Sequence, residues 1–283
     1  MNRVLVCLII AASMTALSNQ CFSQVLDAAP RDGVYDKTAI TQVQPISYTN
    51  LREADIVWSK RIWRTVDLRE KMNQPFYFPT EPQRNWRSFA QILWDALQEG
   101  TITAYSATDD QFLVPMTFKE VKDKVESSDS TLQPDPDNED QMIYVKSNAT
   151  FSSADIKKIL IKEDYYFDKQ RSVFEVRILG ICLVAPLMVK GEKFGDMNLF
   201  WVYFPECRNL FAQNEMFNLQ NGSAGRLTYD DVFMKRIFSS YVTKEENVYN
   251  RSIREYATGV DALLEAEKAK NKLFEFESSL WEY

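Results

Sequence analysis

SVFEVRILGICLVAPLMVKGEKFGDMNLFWVYFP, residues 172–205, is the stretch whose reading decides the fold. Its two halves, Ser172–Val189 and Met197–Pro205, are dense in β-branched and aromatic side chains, the composition that suits a pleated, buried surface. KGEKFGD between them is turn-forming. The most apolar part, Ile178–Val189, is interrupted by Gly180 and Pro186 and is too short to cross a bilayer, which takes about 20 apolar residues. It reads as a buried strand, and the two halves as paired central strands that anchor a sheet.

Upstream, TITAYSA (Thr101–Ala107) and QFLVP (Gln111–Pro115) alternate around Asp109-Asp110 as a hairpin would, and QMIYVK (Gln141–Lys146) has strand character. The other segments read as helices. In NLREADIVWSKRIWRTVDLREKMN (Asn50–Asn73), Asn50 is a cap and Leu51, Ala54, Trp58, Ile62 and Val66 form one face at 100° per residue. The proline-rich PFYFPTEPQ is expected to be non-helical. A second helix follows with Trp86, Ala90, Leu93 and Leu97 on one face and Gly100 at its left-handed end. TFKEVKDKV adds a short helix, DIKKILIKEDYY (Asp155–Tyr166) another, and ECRNLFA (Glu206–Ala212) starts one off the second central strand. Thr228 and Asp231 suit a capping box for YDDVFMKRIFSSYV, and Val260–Tyr283 runs without Gly or Pro as a docked terminal helix. The expected fold class is α+β, a mixed or antiparallel sheet with amphipathic helices over residues 49–283.

The amino terminus reads as a secretory signal peptide over residues 1–23: Arg3, an apolar run to about Leu17, then small and polar residues. Cleavage is expected between Ser23 and Gln24, with Ser18/Asn19 as second choice. Cys21 raises a lipidated terminus as the rival, but Gln20 stands where a lipoprotein needs a small residue. Residues 24–48, broken by Pro30, Gly33 and Pro45, read as an extended arm, disordered or laid across a neighbouring subunit. After processing, Cys182 and Cys207 remain, as a possible disulfide or as plain core residues.

The 283-residue chain has no histidine, only eight glycines, no phosphate loop and no zinc-type cysteine spacing. Those absences remove the commonest general base and the usual nucleophile pairs. A net charge of −7 argues against a nucleic-acid footprint. Carboxylate chemistry stays open, so a periplasmic glycan hydrolase or a solute-binding module are the alternatives to an assembly protein. The acidic stretch 126–141 offers Asp135, Asp137 and Glu139 to calcium, but Asp140 and Lys146 stand where a calcium loop has glycine and glutamate. It reads as a solvated loop. No metal, cofactor or catalytic residue is expected.

On the helix expected over 50–73, Ile56 and Trp63 lie seven apart on a flank that also carries Arg52, Ser59, Lys60 and Asp67. Arg52, Ile56, Lys60 and Trp63 are the candidate partner interface, the alternative being a helix covered on two sides by its own domain. DIVWSKRIW (Asp55–Trp63) also aligns with DDVFMKRIF (Asp230–Phe238), as a duplicated helical unit or by chance.

READIVWSKRIWRTVDLREKMN (Arg52–Asn73) resembles the hallmark of the GldN family, called PorN in oral relatives, and WVYFPECRN (Trp201–Asn209) looks like the same family. GldN proteins belong to the gliding and type IX secretion machinery of the Bacteroidetes. The resemblance implies a periplasmic subunit of a large self-associating ring, held to the outer membrane through the lipoprotein GldK (PorK). It also implies contact with the motor proteins GldM (PorM) and GldL (PorL). No catalytic motif is carried over with it.

Overall fold

A computed structural model describes residues 42–83, 86–127, 130–135, 138–146, 151–189, 192–217 and 227–281. The expected signal peptide, with its cleavage site, and arm residues 24–41 lie outside these.

Seven strands form one antiparallel sheet in the order β3-β2-β8-β7-β6-β1-β9. The expected central pair is there: β7 (Val173–Val189) and β8 (Glu192–Tyr203) are neighbours, with Cys182 opposite Trp201 and Ile181 opposite Val202. The hairpin around Asp109-Asp110 is there too, as β2 (Ala104–Ser106) and β3 (Pro115–Met116).

The remaining strands correct the reading of two helices. Residues Ile56–Asp67 are β1 and Lys158–Asp168 are β6, paired to each other along their length, while β9 (Tyr241–Glu245) adds to the far side of β1. Trp58, Ile62 and Val66 do share a face, because a separation of four is even and lands on one side of a strand as well as on one side of a helix. The acidic region 126–141, read as a loop, also contains strand: β4 (Ser130–Asp135) and β5 (Asn138–Lys146) pair as a separate hairpin that includes QMIYVK. Asp137 lies outside the described residues. Among those described, no three His, Cys, Asp or Glu side chains converge as metal ligands.

One sheet face carries the core. Val66, Ile159, Ile161, Ile181, Leu183, Phe200 and Val202 pack beneath three helices. These are α2 (Phe89–Glu99), α4 (Phe204–Gln213) and α5 (Tyr229–Met234), preceded in the chain by α1 (Gln74–Tyr77) and α3 (Phe118–Ser127). The short α1 falls where no helix was expected; Pro75 is tolerated because it sits in the first turn, where its missing N–H has no partner to lose. Helix α2 starts on Ser88, whose hydroxyl accepts from Gln91 N, and stops at Gly100 with φ 72°, a conformation costly for any residue with a Cβ. An aromatic cluster of Phe76, Phe89, Phe204, Phe211, Tyr229 and Phe233 fills the middle, its ring centroids 5.3–5.9 Å apart.

The Thr228/Asp231 capping box is formed, but the helix it starts stops at Met234. Arg236, at φ 55°, turns the chain away, and residues expected to continue the helix become β9. Asp55–Trp63 and Asp230–Phe238 therefore share letters and no structure: one is strand, the other a helix and a turn.

Along the same face lies α7 (Gly259–Ser279), after the short α6 (Ile253–Tyr256). Ala266, Ala269 and Leu273 are buried against Ile62, Tyr165 and Val242, and Trp58 stacks on Phe276 at 4.2 Å. This docks the terminal helix as expected. No helix among the described residues is long and apolar enough to cross a membrane.

Cys182 and Cys207 are free thiols, which corrects the possible disulfide. Cys207 packs with the helices in the main core, whereas Cys182 lies on the opposite sheet face with Trp63 and Trp201. The sheet stands between them. Burial pushes both thiols up to about 12, so each stays a protonated, unreactive hydrophobe. In a chain beginning at Gln24, both thiols are expected to resist a disulfide-exchange reagent in the folded protein and to react at once in denaturant, a two-thiol count that colorimetric titration checks.

Carboxylates bonded to arginine make the fold's stability depend on acid. Arg69 holds Asp67 below the ordinary carboxylate range, and Arg171, helped by the Tyr166 hydroxyl, does the same for Glu175. Their folded-state values lie below the unfolded ones, so this stability is complete above about pH 5 and is lost as pH falls through the depressed values. The urea midpoint is expected to fall steeply below about pH 4, and less steeply in Glu175→Gln.

Candidate partner-binding cleft

Two groups of buried polar side chains come from the segments that carry the family resemblance. Asn73 is fully buried; its side chain donates to Asp67 O and Ser239 O and accepts from Ser239 N, at 2.8–2.9 Å. It ties the exit of β1 to the entry of β9. Arg208 in α4 makes a buried ion pair with Asp230 in α5 at 3.0 Å, and the Tyr48 ring lies 4.4 Å beneath its guanidinium. The described end of the amino-terminal segment thus lies on its own domain.

The strongest ionic feature is under the sheet. Glu163 on β6 has no exposure; Arg236 donates to both its oxygens at 2.9 and 3.1 Å, and Arg64 of β1 lies 3.2 Å away. Tyr165 accepts from Arg64 at 2.9 Å. Two guanidiniums on one carboxylate are held by packing from three separate parts of the chain, and no step of chemistry is available to a carboxylate so enclosed.

The other face of the sheet carries two neighbouring rows: Trp63 opposite Lys162 and Gly180 across β1, β6 and β7, and beside it Leu160, Cys182 and Trp201 across β6, β7 and β8. The β2–β3 loop folds over the first row. Trp63 Nε1 donates to Asp110 Oδ2 at 2.6 Å, and Lys162 Nζ donates to Asp110 O while lying 5.2 Å from the Phe112 ring and 5.8 Å from the Trp63 ring. Burial pulls the Lys162 ammonium below its ordinary value, against the pull of the Asp110 charge. Lys244 of β9 covers the other side of Trp63 at 4.3 Å. Gly180 makes the row possible, since a Cβ there would collide with the Phe112 ring.

Beside this cluster opens a cavity of about 430 Å³, floored by Trp63, Leu160, Val184 and Trp201 and rimmed by Asp109, Lys244 and Arg254. A second cavity, about 560 Å³, runs past the edge of β9 between Val242 and the start of α7. Lys158, Tyr241, Thr243 and Arg254 border both, so the two make one cleft. Most charges around it are matched: Asp67 with Arg69, Lys158 with Asp196. Lys244 and Arg254 have no carboxylate partner among the described residues.

The four residues expected as an interface are not brought together. Arg52 is exposed and paired with Asp55 at 2.8 Å. Lys60 faces the core side, opposite Tyr165, and pairs with Glu245 at 2.7 Å. Trp63 is only 9 % exposed. Ile56, half-buried, returns to the face of Trp63 only because β1 is bulged between Ile56 and Trp58, and the two are about 20 Å apart at a strand rise of about 3.3 Å. On a helix they would have been about 10 Å apart. Lys162, Asp110, Lys244 and Arg254 were not singled out in the sequence. Lys162 stood inside an expected helix, and nothing local marks a lysine whose cover comes from a loop some fifty residues away.

These features define an α+β protein with a mixed-charge cleft at one sheet edge. The chain belongs to the GldN family, whose description is gliding motility associated protein GldN: the family model matches residues 51–282. That range takes in the whole seven-stranded sheet and α1–α7. The family is a gliding-motility component and is not known as an enzyme family. A search of the curated proteins finds no match.

Proposed function

We propose that this gliding-motility protein is a structural subunit of the type IX secretion and gliding machinery. It works in the periplasm, where it forms a large ring with the outer-membrane lipoprotein GldK (PorK). It is held at the outer membrane by that partner alone and couples to the GldM (PorM) and GldL (PorL) motor. The family match over residues 51–282 carries this reading. The buried ionic and aromatic clusters support it, because they spend the polar residues on rigidity and leave the cleft edge for partners.

Affinity purification of the tagged chain from membranes, followed by negative-stain microscopy, tests it. A very large particle containing the lipoprotein is expected, and deletion of the gene should leave secretion cargo inside the cell. A chain that stays monomeric with the lipoprotein present would sink the proposal.

A further inference from the structure

The cleft beside β9 has three properties that together specify an occupant. First, β9 is the end strand of the sheet, and the segment that arches past it, residues 252–259, makes no backbone hydrogen bond to residues 241–245 among the described residues. The outward main-chain groups of β9 therefore face the cleft, and a chain in extended form satisfies such groups best. Second, the two cations at the rim, Lys244 and Arg254, lack carboxylate partners among the described residues, while Asp67, Asp196 and Asp110 are already bonded to Arg69, Lys158 and the indole of Trp63, and Asp109 accepts only from Gln111 N. Two cations against one acid leave the unmatched charge net positive. Third, the outer wall is α7, whose Leu263 and Val260 are 64 % and 71 % exposed beside Val242, and whose Ala262 and Ala266 leave room for a side chain of moderate size.

We infer that this cleft receives an extended acidic segment of a partner protein, laid along the outer edge of β9. Its backbone pairs with β9, a carboxylate meets Arg254 and Lys244, and an apolar side chain on the alternate face meets Leu263 and Val242. The bulge opposite Trp63/Arg64 and the lysine on β9 discourage indiscriminate edge pairing, so that selection falls to the side-chain sites on either side. This deepens the proposed function only in expecting a protein partner; the cleft is assayed with a peptide, independently of ring assembly.

The probe is a fluorescein-labelled octapeptide alternating Glu and Val, compared with its Lys/Val and Glu/Ser counterparts by polarisation on the purified chain. The Glu/Val peptide should bind at least tenfold more tightly than either, and should slow amide hydrogen exchange at Tyr241–Glu245. Arg254→Glu and Leu263→Asp, both at exposed positions, should each weaken binding at least tenfold with circular dichroism unchanged. Phe274→Asp, farther along α7, should leave it unaltered. No binding, equal binding of the three peptides, indifference to both cleft substitutions, or protection away from β9 would each overturn the inference. So would a dimer in sedimentation that Arg254→Glu abolishes, since the occupant would then be a second copy. A chain that binds the peptide but never enters a ring particle keeps the cleft and loses the ring.

Discussion

Glu163→Leu is expected to destabilise the protein by about 3–5 kcal/mol, because it leaves the buried Arg64 guanidinium, and the partly exposed one of Arg236, with no anion between them. The attraction that is lost is the smaller part of that figure; most of it is the cost of leaving the Arg64 charge unpaired out of water. The direction of a second experiment separates the two. Replacing Glu163, Arg64 and Arg236 together by apolar residues of similar size should recover most of the loss, as buried ion clusters often contribute little net stability over a well-packed alternative. Urea denaturation of both variants measures this. A single variant as stable as the parent would show that water reaches the cluster.

Trp63→Ala should cost about 3–5 kcal/mol, the usual range for removing a buried indole, and lower the midpoint of thermal unfolding by roughly 6–20 °C for a domain of this size. The indole is floor to the cleft, stacking surface for Lys244 and donor to Asp110 at once. Trp63→Phe keeps the ring and loses the hydrogen bond, so it should cost only about 1–2 kcal/mol. The pair of variants, read by thermal melts, distinguishes packing from polar anchoring. If Trp63→Ala melted with the parent, the indole would not be part of the core described above.

The fold class and the central strands were legible, since β7 and β8 are long, apolar and rich in branched and aromatic residues, and a hairpin, two capped helices and the docked carboxy-terminal helix were legible from turn and cap chemistry. β1 and β6 were not. Both place charged residues on the core side, Lys60 and Arg64 in one and Glu163 in the other, which breaks the alternation by which a strand is recognised. What makes those charges tolerable is each other, across a register in which Arg64 sits one step from Glu163, and no local window contains both. The i, i+4 apolar spacing that remained fits a helix and a strand equally. The candidate interface inherited this error. Its four residues belonged together only on a helix, while the cleft at the sheet edge is assembled from β1, β6, β7, β8, β9, the β2–β3 loop and the chain leading into α7.

The insertion of β1 between β6 and β9 also bears on how fast the chain reaches this structure. β6, β7 and β8 follow one another as a meander, so their pairing closes short loops. Arg61 meets Asp164 across 103 residues, and Trp63 meets Thr243 across 180. Contacts of such span are slow to form, because the entropy of closing the loop is lost before the contact rewards it. The meander should therefore acquire hydrogen-exchange protection first, with β1 and β9 later, and β1 would be the strand whose arrival commits the rest.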